Sequence, residues 1–240
     1  MFFIGDEQYN SSYDLNENNE TALIIVDMQN DFANPNGALF VPGGDILTTI
    51  IIELIKKYKT VIFSKDYHPK DHCSFHDNIY KTDLSNDTLS LYPNQNINQI
   101  RNSIPLFGKV ILENGLEQIL WTRHCVENTW GSQLIPQLKP KENNFIVYKG
   151  GNSKIDSYSA FFDNGKRNET TLHNYLKSNN IKKVDIVGLA FDYCVGYTAL
   201  DAKSLGYETS VIMNATKSVC DSSKNFMEQK LIASGIKLIL

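Results

Sequence analysis

The chain has 240 residues and a mass of 27.2 kDa, which suits one large domain or two small ones, and we expect one core. Hydrophobic residues make up 42% of it and charged residues 21%, so whole-chain disorder, collagen-like structure and coiled coils are excluded. The net charge of −4 and the pI near 5.7 provide no attractive field for phosphate backbones. We therefore expect a small-molecule partner and no nucleic acid.

The sequence also indicates a compartment. No apolar stretch approaches the ~20 residues that span a bilayer, and residues 1–4 are apolar but are followed at once by Gly5 and Asp6, unlike a signal peptide. The four cysteines are widely spaced and include no CxxC pair, which argues against a disulfide scaffold. We expect a cytoplasmic protein that does not bind membranes, with the nucleus as the alternative location.

Residues 1–20 are predicted to be a mobile polar tail, because they are rich in Asn, Asp, Glu and Ser and bury too little apolar surface. From Thr21 onward, short β-branched apolar runs alternate with helical patterns. Strands are predicted at 22–26, 60–63, 145–148, 184–189, 209–213 and 236–240. Runs that are apolar along their whole length are typical of a sheet buried on both faces. The prediction is an α/β fold, a three-layer α/β/α sandwich around a central parallel sheet.

Helices are predicted between these strands. Apolar residues repeat at helical spacing over 46–58, with Asp45 as the N-cap. A second helix is predicted over 192–205, capped by Asp192 and ended by Gly206, and a third over 221–234, stopped by Gly235. Residues 77–118 interrupt this alternation with Asn-, Asp- and Ser-rich sequence. We interpret them as an insertion over the site, within one domain of residues 21–240.

Two strand ends carry polar residues of catalytic or ligating type. Asp27 follows the first strand, where ligands of parallel sheets bind, although a loop-capping carboxylate is an equally good interpretation. Asp66 and His68 share a face at the end of the second strand. They would supply two of the ligands of a divalent metal site, unless they are solvated loop residues. His72, His76 and His124 are the available third ligands.

Two further residues are candidates because of their positions. Cys194 follows a strand and a tight turn, and the first turn of a helix would lower its thiol pKa and offer N–H groups as an oxyanion hole. The alternative is a buried structural cysteine. Lys149 lies at the end of the third predicted strand, before two glycines. An exposed lysine is the default there, so its interpretation depends on Asp27 and Cys194.

Four motifs together resemble the nicotinamidase family of the isochorismatase-like hydrolases. They are VDMQNDF, KDYHPKDHCSF, WTRHCVENTWGSQL and GLAFDYCVGYTALDAKSLGY, which occur in the family's order between residues 21 and 216. The resemblance implies the isochorismatase-like fold. It also implies hydrolysis of nicotinamide to nicotinate and ammonia through a cysteine thioester, feeding NAD salvage, with nicotinamide as the partner.

The resemblance assigns site residues one by one. It implies a catalytic triad of Asp27, Lys149 and Cys194. The implied ligands of one divalent metal, with zinc expected and iron or manganese as alternatives, are Asp66, His68 and His124, and His72 stands where some members have a further ligand. The substrate-binding aromatic residues would be Phe32, Trp121 and Tyr158. The oxyanion hole would be the N–H groups of Ala190 and Cys194, after a cis peptide between residues 189 and 190.

Other functions stay open at this stage. The same fold could act on another small amide or on isochorismate, or the chain could be a binding protein without catalytic activity. Thr122 stands where the family commonly has proline, and residues 77–118 are unusually long for it, which puts the pocket shape in question. The sequence leaves the identity of the metal open and is compatible with a homo-oligomer.

Overall fold

The computed structural model describes residues 19–240. Residues 1–18 of the predicted tail lie outside the described residues. The described chain forms eight strands: β1 (Thr21–Val26), β2 (Thr60–Asp66), β3 (Lys109–Ile111), β4 (Glu117–Ile119), β5 (Phe145–Lys149), β6 (Lys183–Leu189), β7 (Glu208–Lys217) and β8 (Lys237–Ile239). Six of them form one sheet in the order β5-β2-β1-β6-β7-β8. Every neighbouring pair in it is parallel, as predicted, while β3 and β4 form a separate antiparallel pair.

Seven α-helices connect the strands of the described chain: α1 (Asn30–Ala33), α2 (Leu47–Ile55), α3 (Asn86–Ser90), α4 (Ile97–Ser103), α5 (Leu172–Ser178), α6 (Gly196–Ser204) and α7 (Asp221–Ala233). A 3₁₀ turn covers His76–Asn78 and a π-helical turn covers Phe191–Val195. In the part of the chain that the structure describes, no helix has the length and apolar character to cross a membrane.

The alternation of side chains along β1 explains the layers. Ile24 and Val26 point to one face of the sheet, where they join a core built with residues of α5, α6 and α7. Leu23 and Ile25 point to the other face and pack with residues of α2. Since strand side chains alternate between faces, an unbroken apolar strand needs a cover on both sides. The three-layer α/β/α prediction is confirmed.

Two predicted helix caps are wrong. The N-cap of α2 is Ile46, without a side-chain cap, and the Asp45 backbone carbonyl accepts a hydrogen bond from the Thr48 hydroxyl. The segment predicted as one helix over 192–205 is the π-helical turn followed by α6, and its N-cap is Ala190. Asp192 cannot cap it because its carboxylate accepts hydrogen bonds from a different segment, described below. By contrast, α7 closely matches its prediction.

Residues 77–118 form an ordered subregion rather than an irregular loop. They contain α3, α4 and the β3–β4 pair, packed around a small apolar cluster of their own that includes Ile100, Val110 and Leu112. Polar caps start both helices: the Ser85 hydroxyl accepts from an amide of α3, and Asn96 forms a capping box with α4. These caps satisfy backbone donors. Two of the Asn and Ser residues of this segment therefore start helices.

Candidate active site

The candidate site lies at the carboxyl edge of the sheet, where the parallel strands end together. Asp27 follows β1, Asp66 is the last residue of β2, and Lys149 is the last residue of β5. In the β2–β5 ladder Asp66 is the direct partner of Lys149. Cys194 lies in the π-helical turn after β6, the strand that pairs with the other side of β1. The topology thus brings four residues that are far apart in sequence to one place.

Lys149 is the centre of a buried polar cluster. Its ammonium nitrogen lies 2.8 Å from Asp27 Oδ2 and also pairs with Asp66 Oδ1. It donates to the Ser157 carbonyl at 3.0 Å and contacts Cys194 Sγ at 3.3 Å. The three charged residues are at most 4% exposed, so Lys149 is not the exposed lysine of the default interpretation. A buried ammonium paired with two carboxylates and a thiol is an arrangement suited to nucleophilic catalysis.

Burial and charge set the proton affinities of this cluster. Burial raises the pKa of Asp27, and Lys149 only partly opposes this effect. Burial alone would lower the pKa of Lys149, but Asp27 and Asp66 raise it well above its ordinary value, so the amine stays charged. Burial raises the pKa of the Cys194 thiol well above its usual value of 9.0, against the opposing charge of Lys149. The predicted lowering of the thiol pKa is therefore wrong, because desolvation outweighs the turn and the lysine.

Asp27 is held by its neighbour on β2. The Ser64 hydroxyl donates to Asp27 Oδ1 at 2.6 Å and accepts from the Asp27 backbone N–H at 3.3 Å. Asp27 has a backbone φ of +47°, in the left-handed region that non-glycine residues rarely adopt. Its carboxylate, that of Asp66 and the Cys194 sulfur each place one atom within 4.8 Å of the others. Ser64, inside an apolar strand, gave no signal in the sequence.

Three residues form a set suited to a divalent metal. The Nδ1 atoms of His68 and His124 lie 2.9 and 2.6 Å from the carbonyls of Gly150 and Thr122. A carbonyl only accepts, so Nδ1 carries a proton, and in the neutral ring Nε2 keeps its lone pair. These Nε2 atoms lie 3.5 and 3.9 Å from Asp66 Oδ2.

The same set passes a test of fit for the metal. His68 Nε2 is buried and has no hydrogen-bond partner among the described residues, as expected of a nitrogen reserved for an ion. Burial and the neighbouring His68 lower the pKa of His124 to about 4, which keeps that ring neutral and able to ligate. Two imidazoles and a carboxylate are a typical donor set for zinc and similar ions. His76, by contrast, hydrogen-bonds the Ile104 carbonyl and is not part of this cluster.

Two residues that the sequence analysis missed shape the metal-type cluster. The Gln29 amide donates to the Asp66 carbonyl at 2.7 Å and accepts from the Asp66 N–H at 2.8 Å, which fixes the end of β2. Gly150 has φ +70°, and a Cβ there would lie 2.4 Å from Cε1 of His68. The glycine therefore leaves room for the imidazole ring. Gln29 was visible only as a letter of the first motif, and Gly150 only as a flexible neighbour of Lys149.

A cavity with about 450 Å³ of space not occupied by atoms, part of it open to solvent, connects the two clusters. Phe32, Trp121 and Tyr158, the aromatic residues expected to bind substrate, line it together with Ala190, Cys194, Asp66 and His124. Tyr193 also lines it and was missed; its ring packs edge-on against Trp121 at 4.9 Å. The peptide between Leu189 and Ala190 is cis. Flat aromatic walls of this kind suit a planar ring.

Residues 77–118 contact residues that line this cavity but do not line it themselves. Of the described residues that line the cavity, none comes from that segment. The segment contacts two residues of the cavity wall: Phe107 packs edge-on against Trp121 at 5.8 Å, and the Gln118 amide donates to Asp156 Oδ2 at 3.0 Å. The segment therefore supports the wall of the cavity.

Asp192 ties the turn that carries Cys194 to the start of α7. Its carboxylate accepts from the backbone N–H groups of Val219 and Cys220 at 3.0 and 3.2 Å, and from the Ser223 hydroxyl at a short distance. Val219 lines the cavity. A buried carboxylate that accepts several hydrogen bonds fixes the position of the turn relative to α7. In the sequence analysis the same residue was misinterpreted as a helix cap.

Comparisons with known proteins agree with this arrangement. Residues 21–239 match the family model described as the isochorismatase domain. The nicotinamidase of Escherichia coli K12 is 38% identical over 225 residues, which cover 90% of this chain and 93% of that protein.

Two solved structures extend the comparison. A nicotinamidase and pyrazinamidase structure from Acinetobacter baumannii superposes with a TM-score of 0.79 at 32% identity, covering 93% of this chain and 97% of the other. A pyrazinamidase of Pyrococcus horikoshii in complex with zinc gives a TM-score of 0.67 at 30% identity, covering 91% and 98%.

Proposed function

The chain belongs to the isochorismatase family of hydrolases, and on that premise we propose that it is a nicotinamidase, which hydrolyses nicotinamide to nicotinate and ammonia and feeds NAD salvage. One observation supports this proposal most strongly. The thiol of Cys194 and the metal-type set of Asp66 and His124 line the same aromatic-walled cavity. A planar aromatic carboxamide with a ring nitrogen suits both groups. Its carboxamide can meet the thiol while its ring nitrogen faces the metal-type set.

In the proposed reaction Cys194 attacks the carboxamide carbon. The thiol is protonated at rest, so attack needs a base, and Asp27 is the carboxylate beside it. Asp27 accepts the thiol proton and then delivers it to the departing amine, acting first as base and then as acid. The Lys149 ammonium lies 2.8 Å from Asp27 Oδ2 and 3.3 Å from Cys194 Sγ, so its charge stabilises the ionised form of both groups.

The remaining steps use the turn and water. We assign the N–H groups of Ala190 and Cys194 to the developing oxyanion, a contribution worth ~3–4 kcal/mol per donor in other enzymes. After ammonia leaves, water attacks the thioester, and Asp27 is again the base within reach. Asp27 then gives the proton taken from water to the departing Cys194 thiolate, and nicotinate is released.

We propose that Asp66, His68 and His124 hold one divalent metal, with zinc favoured and iron or manganese as alternatives. When bound, the ion would attract the ring nitrogen of the substrate and fix its orientation. The residues of this chain prepare that role: two imidazole Nε2 atoms and one carboxylate oxygen converge beside the cavity. Phe32, Trp121 and Tyr158 would hold the ring from its faces and edges.

The test is ammonia release from nicotinamide by the purified chain. Cys194→Ala should abolish turnover while leaving the thermal unfolding midpoint nearly unchanged, and Cys220→Ala, an exposed cysteine, is the matched control and should keep full activity. Undiminished turnover by Cys194→Ala would refute the nucleophile. Exhaustive chelation should remove activity, and zinc should restore it.

Substrate choice separates the proposal from the alternative, hydrolysis of another small amide. Benzamide has the ring and the carboxamide of nicotinamide but lacks the ring nitrogen. We expect kcat/KM for benzamide to be at least about 10²-fold lower, because the proposed metal site would have no ring nitrogen to bind. Equal rates on both amides would instead favour an amidase that does not recognise the ring nitrogen.

A further inference from the structure

Asp31 is a buried residue of α1, 7% exposed, to which the sequence analysis gave no role. Each oxygen of its carboxylate accepts a hydrogen bond from a backbone N–H of a different segment. Oδ2 accepts from Cys125 at 2.7 Å, and Oδ1 accepts from Ala38 at 3.0 Å. A buried carboxylate that accepts from two backbone amides fixes the position of both. Asp31 therefore joins two segments that are far apart in the sequence.

The first segment is the histidine loop, residues 122–125. Cys125 directly follows His124, and its backbone φ is +45°, in the left-handed region that non-glycine residues rarely adopt. Asp31 holds the N–H of Cys125, while the Cys125 carbonyl accepts from the His68 backbone N–H at 3.0 Å. Cys125 thus connects the backbones of both histidines of the metal-type set. A displacement of Cys125 would move these histidines relative to each other.

The second segment is the wall loop, residues 38–41, in which Leu39 lines the cavity. The Leu39 N–H donates to the Asp31 carbonyl at 3.1 Å, which adds to the bond between Ala38 and the Asp31 side chain. The wall loop also contacts the histidine loop directly, since the Thr122 hydroxyl donates to the Ala38 carbonyl at 3.0 Å. The position of the wall loop therefore depends on the same carboxylate as that of the histidine loop.

Gly131 leaves the space that the Asp31 carboxylate occupies. A Cβ at position 131 would lie 2.0 Å from Asp31 Oδ2, which is the oxygen that accepts from Cys125. Alanine there would displace the carboxylate from the Cys125 N–H but would leave its charge in place. The position of the Asp31 carboxylate can therefore be changed separately from its charge.

We propose that Asp31 is a positioning residue, which holds the histidine loop and the wall loop together so that His68 and His124 can ligate one ion beside the cavity. The inference rests on the proposed metal site. Asparagine at position 31 keeps the shape of the side chain but has only one acceptor oxygen, and its NH₂ group would face an N–H donor. One of the two loops would therefore lose its hydrogen bond, and a buried N–H would lose its acceptor.

The test is calorimetric titration of Zn²⁺ into the metal-free, full-length protein, without substrate. Asp31→Asn and Gly131→Ala should each weaken Zn²⁺ binding by about 10–100-fold, the range for a residue behind the ligands. The double variant should bind no more weakly than the weaker single variant, because both substitutions break the same contact. If Asp31→Asn does not fold, Gly131→Ala decides the test alone.

Asp163→Asn is the matched control. Asp163 is also buried, and both of its oxygens accept from backbone N–H groups, those of Arg167 and Asn168 at 2.9 Å each, but it does not line the cavity. This variant should lower the thermal unfolding midpoint, as Asp31→Asn does, and should keep the Zn²⁺ affinity within about threefold of the wild type. A role of Asp31 in stability alone would instead give the two variants the same Zn²⁺ affinity.

Hydrogen exchange reports on the loops themselves. In Asp31→Asn the amides of the wall loop and of the histidine loop should exchange faster than in the wild type, and in Asp163→Asn they should not. Unchanged exchange in either loop would overturn the inference. So would a Zn²⁺ affinity of Gly131→Ala within about threefold of the wild type, because the effect of Asp31→Asn would then be one of charge.

The experiment also separates this inference from the proposed reaction. A wild-type protein that binds no Zn²⁺ would refute the metal site and the inference with it. Absence of nicotinamide turnover in a protein that binds Zn²⁺ would refute only the proposed reaction, since neither the titration nor the exchange measurement uses substrate.

Discussion

Replacing Asp27 by asparagine tests the central step of the proposed reaction. The substitution keeps the size of the side chain and can keep the hydrogen bond from Ser64, which donates to Oδ1 at 2.6 Å. It removes the carboxylate that lies beside the Cys194 sulfur. If Asp27 is the base and then the acid, the variant should fold and bind substrate but should turn it over slowly.

The size of the effect follows from the proton affinity of the thiol. Because burial raises the pKa of Cys194 well above 9.0, less than about 1% of the thiol is ionised at pH 7 without help. A positioned acid or base contributes about 10²–10⁴-fold, so kcat should fall by that factor. Removing the charge of Asp27 also makes ionisation of the thiol easier, which offsets part of the loss. The missing proton donor for the departing amine is not offset.

The pH profile gives the sharper readout. In the wild type, activity should fall as the pH drops through the raised pKa of Asp27, since the base becomes protonated. In Asp27→Asn that acid limb should disappear, and the rate should rise about tenfold per pH unit toward pH 9 as thiolate forms. Ammonia release between pH 5 and 9 measures both. Ser64→Ala, which keeps the carboxylate, is the control and should lose much less activity. A loss below tenfold, or an unchanged profile, would refute the role of Asp27.

Three further predictions concern the buried charges and the backbone. Lys149→Met should lower the unfolding free energy by ~3–5 kcal/mol in denaturant titrations, because it leaves buried carboxylates unpaired, whereas Lys182→Met, in an exposed pair with Glu20, should change it by at most ~1 kcal/mol. Gly150→Ala should weaken zinc binding at least tenfold, since the new methyl group displaces His68. Gly115→Ala has a similar positive φ but open space around it, so zinc titration should show no change. Asp192→Asn should raise KM for nicotinamide more than it lowers kcat, because the Val219 wall loosens while the thiol and its base remain; equal changes in both would contradict that role.

The sheet was predictable because its strands are apolar along their whole length. A run such as 22–26 has only one explanation, burial on both faces, and that explanation also fixes the layers. The ends of the elements were less predictable. β7 was predicted over 209–213 but extends to Lys217. A register shift between β6 and β7 lets the two strands pair again after the irregularity, with Gly188 opposite Thr216 and Leu189 opposite Lys217. Such an irregularity depends on the neighbouring strand, which local sequence does not encode.

The candidate site was predictable where a residue type implies a chemistry at a strand end, as for Asp27, Asp66 and Cys194. Residues that act by holding others were not predictable. Ser64 lies within an apolar strand, and Gln29 acts on a residue 37 positions away, so neither has a local signal. Asp192 failed in a different way. Its type suits a helix cap, but an acceptor serves whichever donors the fold brings closest, and those came from the start of α7.

Burial gives the proposed nucleophile and its base related proton affinities. The same desolvation raises the pKa of the Asp27 carboxyl and of the Cys194 thiol. A higher pKa makes Asp27 a stronger base, which favours removal of the thiol proton, but it would also neutralise the carboxylate if nothing opposed it. Lys149 provides that opposition, since its charge lowers both values from within 3.3 Å. A hydrophobic residue at position 149 would remove this opposition, so both pKa values would rise further and less of the Asp27 carboxylate would be available as a base at any given pH. The lysine therefore favours the ionised form of the base, even though it transfers no proton itself.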